Sequence, residues 1–173
     1  MTKKTNAITL RTALPFILWS AVLVLADQIV KFLAIRHLSL TYTLKPFGEH
    51  LPGLRLLFNP GATLGIGSAA TWIITLIALI AAGVILYYGL SAKKPAWRVA
   101  LILAFAGDLG NIIDRVFRAE HVFDGKVVDM IDYGWSVGNV ADIYLTLAAI
   151  MIVILISTDA FSHSQQDGEQ AHE

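Results

Sequence analysis

The chain has 173 residues, 56% of hydrophobic type and 15% charged, with a mean hydropathy of +0.66. A soluble domain carries about 25% charged residues; here the deficit is gathered into long uncharged stretches, which points to an integral membrane protein. Thirteen Lys and Arg balance thirteen Asp and Glu with no long basic run, which sets nucleic-acid binding aside, and the lack of cysteine excludes disulfides, thiolate nucleophiles and cysteine-based metal sites.

A helix needs about 20 residues to cross a hydrocarbon core about 30 Å thick, and four segments come near that length. The first runs from about Thr12 to Ile35 and is uncharged until Asp27 and Lys31. Its basic approach (Lys3, Lys4, Arg11) and the small-residue site Val24-Leu25-Ala26 mimic a cleavable secretory signal, but apolar character resumes from Ile29 to Ile35, which favours a retained span. The next segment, about Arg36 to Thr71, mixes Tyr42, Phe47 and Phe58 with turn residues Pro46, Gly48, Pro52, Gly53 and Pro60, and reads as short strands forming a small sheet-like platform on the membrane surface. The second span covers about Trp72 to Leu90, the third about Trp97 to Ile113, and the fourth about Asn139 to Ile156. Between the last two lies a short polar connection, about Asp114 to Gly138, and after the fourth a polar tail, residues 157–173, expected to be disordered. The expectation is therefore one domain over residues 1–173: an all-α membrane protein of four transmembrane helices with a small extracytoplasmic β-like platform between helices 1 and 2.

Basic residues divide evenly across such a topology: Lys3, Lys4, Arg11, Lys93, Lys94 and Arg98 on one side, Arg36, Lys45, Arg55, Arg115, Arg118 and Lys126 on the other. The first six are packed into much shorter segments, so the positive-inside rule places both termini in the cytoplasm.

Charges inside membrane helices are costly and need a reason. Asp27 and Lys31 are four apart on one helix face; Asp108, Asn111 and Arg115 share a face of the third helix; Asn139 and Asp142 are one turn apart at the start of the fourth. Together with Asn59, Asp114 and Asp129 they gather near one membrane surface. Taken singly, each has an ordinary structural explanation. Asp27 with Lys31 reads first as a self-neutralising ion pair, Asp114-Arg115 as an interfacial salt-bridge element or a snorkelling arginine, and Asn139 with Asp142 as a helix cap with an acid at the dipole's positive end. Gly61, Gly65 and Gly67 read as turn glycines, and Trp72, Trp97 and Trp135 as interfacial anchors. His37, His50, His121, His163 and His172 are scattered without ligand spacing, so no metal site is expected.

The combination says more. Asp27-Gln28 with Lys31, Asn59-Pro60-Gly61-Ala62, Gly107-Asp108-Leu109-Gly110-Asn111-Ile112-Ile113-Asp114-Arg115, Val127-Val128-Asp129 and Asn139-Val140-Ala141-Asp142 resemble, in order and spacing, the signature blocks of the lipoprotein signal peptidases, or signal peptidase II. The resemblance covers roughly Ala26 to Ala148. It implies a multi-pass aspartic endopeptidase of the bacterial inner membrane that needs no cofactor and cuts a prolipoprotein before its diacylglyceryl-modified cysteine. Its implied partners are such prolipoproteins and membrane lipids, and the chain is expected to be a monomer. Carried over by position, Asp129 and Asp142 are the catalytic pair; Asp114 supports the Asn-x-x-Asp-Arg block; Asn111, Arg115 and Asn139 hold the active-site network and substrate backbone; and Asp27, Asn59 and Gly61 line the same pocket, with Lys31 in support. Three departures bear on loop shape and substrate contacts: Asp108 where the family usually has a second glycine, Gly138 where it usually has an aromatic residue, and a short connection from Met130 to Ala141.

The chemistry fits two carboxylates. Close, partly buried carboxylates cannot both ionise cheaply, so a pair sharing one proton supplies both the base that activates water and the acid that protonates the substrate. Two other classes use intramembrane polar residues: a proton-coupled carrier, disfavoured by four spans without an internal repeat, and a scaffold in which they bind helices together.

Overall fold

The computed structural model describes residues 10–46, 48, 50–61, 71–119 and 123–170; Lys3, Lys4, Phe47, Ala62, Gly65, Gly67, His121 and His172, named above, lie outside them. Four helices dominate: α1 (Leu10–His37), α2 (Thr71–Ser91), α3 (Pro95–Phe117) and α4 (Val140–Gln170). Each is long and apolar enough to cross a membrane, and large apolar side chains such as Trp19, Ile77 and Val153 stand 60% or more exposed on their outer faces. Such surface suits lipid and would not suit water. The four-helix membrane architecture is the one the sequence predicts.

α3 is the most enclosed helix and packs against the other three. Pro95 starts it, where the missing N–H costs nothing. Close packing continues to its far end: a Cβ on Gly110 would lie 2.6 Å from Asp27 Oδ2, so only glycine lets α1 approach there. The helix was expected to stop near Ile113 but runs to Phe117, because Asp114 and Arg115 find partners inside the protein and do not end it.

A three-stranded antiparallel sheet, in the order β1 (Gly53–Asn59), β2 (Val127–Asp132), β3 (Val137–Gly138), closes one end of the bundle. The platform was expected from the segment between helices 1 and 2 alone. It is instead shared: that segment contributes β1, whereas β2 and β3 come from the connection read as a plain polar loop. The strand Val-Val-Asp-Met-Ile-Asp is buried at five of its six positions, so it lacks the in-out alternation that announces a strand. β1 and β2 pair from Gly53 with Asp132 to Asn59 with Val127, with a bulge between Leu54 and Leu57. Leu56, Val128 and Met130 pack with Ala34 in a small core that seats the sheet on the end of α1.

The disordered tail expected from Ser157 is not found in the described residues, since α4 continues to Gln170. Propagating a formed helix needs one hydrogen bond per residue added, and the tail carries good helix formers such as Gln165, Gln166 and Glu169. At the start of that extension Lys94 Nζ meets Asp159 Oδ1 at 2.8 Å and Trp97 Nε1 donates to Asp159 Oδ2 at 3.3 Å, fastening α4 to the start of α3.

Candidate active site

At the sheet end, Lys31 Nζ lies 2.9 Å from Asp27 Oδ2 and 2.8 Å from Asp114 Oδ2, with all three side chains fully buried. The ammonium also donates to Gly110 O at 3.2 Å and Asn111 Oδ1 at 3.1 Å. Asp27 Oδ1 accepts the Ala141 N–H at 3.0 Å, Asp114 Oδ2 accepts the Val128 N–H at 3.1 Å, and Arg118 Nε donates to Asp114 Oδ1 at 3.1 Å. Two carboxylates thus face two cations, and backbone N–H groups of α4 and β2 take up further acceptor positions. Buried charge persists only when paired and hydrogen-bonded in this way. The knot ties α1, α3, α4 and the sheet together.

Beside it opens a cleft of about 540 Å³ with Asp129 and Asp142 on its wall. β2 carries Asp129 and the first turn of α4 carries Asp142. Asn139 joins them. Its Oδ1 accepts the Asp142 N–H at 3.0 Å while its own N–H donates to Asp142 Oδ2 at 3.1 Å, a reciprocal helix cap. Its Nδ2 donates to Asp129 Oδ1 at 2.6 Å. The other oxygens are held by amides too: Asn59 Nδ2 donates to Asp129 Oδ2 at 2.9 Å and Asn111 Nδ2 to Asp142 Oδ1 at 3.1 Å. Among the described residues neither carboxylate has an ion-pair partner. Burial pushes the Asp129 carboxyl up to about 6, against the lowering pull of the Asn59 and Asn139 amides, and the neighbouring Asp142 charge adds to the rise. Asp132, on the same strand, goes the other way, its carboxylate stabilised by the Gly134 N–H of the following turn.

Residues 19–158 match the model of a protein family described as signal peptidase (SPase) II. The chain belongs to the signal peptidase II family. It is 45% identical over 167 residues to a lipoprotein signal peptidase of Bifidobacterium longum, covering 94% of this chain and 89% of that one. It is 36% identical over 146 residues to a lipoprotein signal peptidase of Rhodococcus jostii, covering 84% and 73%. A solved structure described as a bacterial membrane enzyme, determined by the in meso method at 2.3 Å, superposes with a TM-score of 0.74 at 29% identity, covering 84% of this chain and 89% of that one. This chain is accordingly a membrane-embedded peptidase.

For a signal peptidase II the residues singled out in the sequence fall into two groups. Asn59, Gly61, Asn111, Arg115, Asp129, Asn139 and Asp142 all line the cleft. Arg115 does not snorkel; it is buried, and its Nη2 donates to Gly61 O at 2.9 Å, fixing the chain beyond β1. Asp27, Lys31 and Asp114 come together in the ionic knot beside the cleft. The reason is charge: an i, i+4 lysine draws the Asp27 carboxylate to itself. The cleft also holds residues that were not singled out as site residues, Tyr133, Trp135 and Ser136 of the β2–β3 turn. The Tyr133 and Trp135 rings stack with centroids 6.0 Å apart, and Trp135 is 73% exposed. The turn signal at Gly134, which has φ +88°, marked the hairpin but not which cleft it would overhang. Gly138 leaves room for the carboxylate, since a Cβ there would lie 2.9 Å from Asp142 Oδ2.

Proposed function

We propose that the chain removes the signal peptide from prolipoproteins by hydrolysing the bond before a diacylglyceryl-modified cysteine, with Asp129 and Asp142 activating water. The observation that carries this reading is the attachment of both carboxylates to one residue, Asn139, at the wall of one cleft. Neutral amide donors orient the two groups without discharging them, which leaves both free to exchange protons.

The ionised carboxylate takes a proton from water as the water oxygen attacks the scissile carbonyl carbon. The protonated carboxyl gives its proton to the carbonyl oxygen. When the tetrahedral intermediate collapses, the C–N bond breaks, a proton passes to the leaving nitrogen, and the products are a signal-peptide carboxylate and a free cysteine amine. Asp129, with its carboxyl at about 6, is the member that holds the proton on the acid side of neutrality. Asn59, Asn111 and Asn139 keep the carboxylates in place, Gly61 and Arg115 hold substrate backbone, and Asp27, Lys31 and Asp114 brace the wall from behind.

Both termini lie in the cytoplasm of a bacterial cell, and the sheet end faces outward across the inner membrane. The cleft then opens at the level where a diacylglyceryl group holds its cysteine. Acyl chains and the apolar signal segment enter sideways between helices, and the chain works as a monomer without a cofactor. The test is a cleavage assay in detergent on a diacylglyceryl-modified prolipoprotein beside its unmodified form. Wild type is expected to cut only the modified substrate, and Asp129→Asn and Asp142→Asn neither. Turnover at the wild-type rate by either variant rules out the dyad; equal cutting of both substrates rules out recognition of the lipid.

A further inference from the structure

The cleft wall carries a second set of polar groups that the two aspartates do not use. Asp108 Oδ2 and Arg115 Nε are both buried and, among the described residues, have no hydrogen-bond partner. Both residues line the cleft and lie seven positions apart on one face of α3. Asp108 sits one turn from Asn111 on the side away from the sheet, at the inner edge of this polar layer, where the cleft is also lined by Ile74, Ala78 and Leu145. An ionisable group at such depth is expensive unless something comes to meet it. Among the described residues the Arg115 charge faces it, but none donates a hydrogen bond to Oδ2. A turn about the Cβ–Cγ bond exchanges the two carboxyl oxygens, so either can be presented to a bound molecule.

Resting on the reading of this cleft as the peptidase site, we propose that Asp108 determines specificity by accepting a hydrogen bond from a serine or threonine hydroxyl one or two residues before the scissile bond. Direction follows from the substrate: its apolar signal segment lies in the membrane, so residues before the cut run from the dyad away from the sheet, past Asp108. Distance follows from geometry. Three helical residues rise about 4.5 Å, and an extended peptide covers that in between one and two residues at about 3.4 Å each. The donor is a hydroxyl because an ammonium or guanidinium brought to this depth would itself have to be desolvated, whereas a hydroxyl carries no charge and is small enough for an aliphatic wall. Arg115 Nε, two turns nearer the sheet, is the matching donor for a backbone carbonyl close to the cut.

The experiment compares kcat/KM for diacylglyceryl-modified substrates that differ only in Ser or Ala at the first or second residue before the cysteine, using wild type, Asp108→Ala and Asp108→Asn in detergent. At one of the two positions wild type is expected to prefer serine by about tenfold, the worth of one hydrogen bond to a buried carboxyl. Asp108→Ala should bring that ratio to within about twofold of unity, and Asp108→Asn, which keeps an acceptor oxygen, should retain part of it. Because each ratio is taken within one protein, a change in overall activity or stability does not move it. A wild-type ratio near one at both positions, or a ratio unchanged in Asp108→Ala, overturns the inference and leaves the peptidase reading standing. Failure of folded wild type to cut either substrate overturns both.

Discussion

Two groups of carboxylates lie side by side at the sheet end of the bundle, and their partners differ. Asp27 and Asp114 each touch the ammonium of Lys31, and Asp114 also meets Arg118. Among the described residues, Asp129 and Asp142 are held only by amide N–H groups, from Asn59, Asn111 and Asn139. A carboxylate set against an adjacent cation is committed to an ion pair and serves as a joint. One held by neutral donors keeps its geometry while its proton remains exchangeable. The choice between lysine and asparagine as partner separates carboxylates committed to ion pairs from the pair proposed to react.

That contrast can be pressed at four points. The largest effect belongs to the amide-held pair: Asp129→Asn or Asp142→Asn should reduce kcat by on the order of 10³-fold, with both variants still folded. Loss of both activity and folding would place these residues with the joint. Next, Lys31→Met strands the buried Asp27 carboxylate and leaves Asp114 with Arg118 alone, and should cost about 3–5 kcal/mol of stability, seen as a lowered Tm in detergent, because removing one member of a buried ionic pair leaves the other unpaired. Third, the unfolded chain gives up the Asp129 proton near 3.8 and the folded protein near 6, so stability should fall as pH rises between those values. The drop is at most about 3 kcal/mol, and Asp129→Asn should flatten it; an equal slope in the variant would show that another group governs that window. The smallest stability change is expected for Asn139→Ala, about 1 kcal/mol for the lost cap. Its kcat should nonetheless fall by about tenfold or more, since Asp129 loses an aligning donor.

Helix number and placement were legible because a span of about 20 apolar residues has few other uses. The ends were less so. α3 passes its expected stop because Asp114 and Arg115 have buried partners on α1 and beyond β1, which no local pattern records. β2 escaped notice for a related reason: a strand covered on both faces carries no alternation. At the site, the pairing of Asp27 with Lys31 and the capping of α4 by Asn139 could be read from spacing, since both lie within one turn of helix. The Asn139 to Asp129 bond could not, because it depends on where the sheet docks. The structural and functional readings of Asn139 were posed as alternatives, yet its carbonyl oxygen and backbone N–H serve the cap while its amide reaches Asp129.

The sheet that presents Asp129 draws its strands from opposite sides of the α2–α3 hairpin, so β1 precedes two membrane crossings and β2 follows them. The contact of Asn59 with Asp129 closes a loop of 70 residues. During synthesis, β1 must therefore wait, unpaired on its far side, until both crossings are made. A chain arrested after α3 holds only that first strand and neither member of the proposed dyad. With that dyad, hydrolytic capacity arises only with completed insertion, and a nascent molecule cannot attack other polypeptides in the bilayer while its own threading is unfinished.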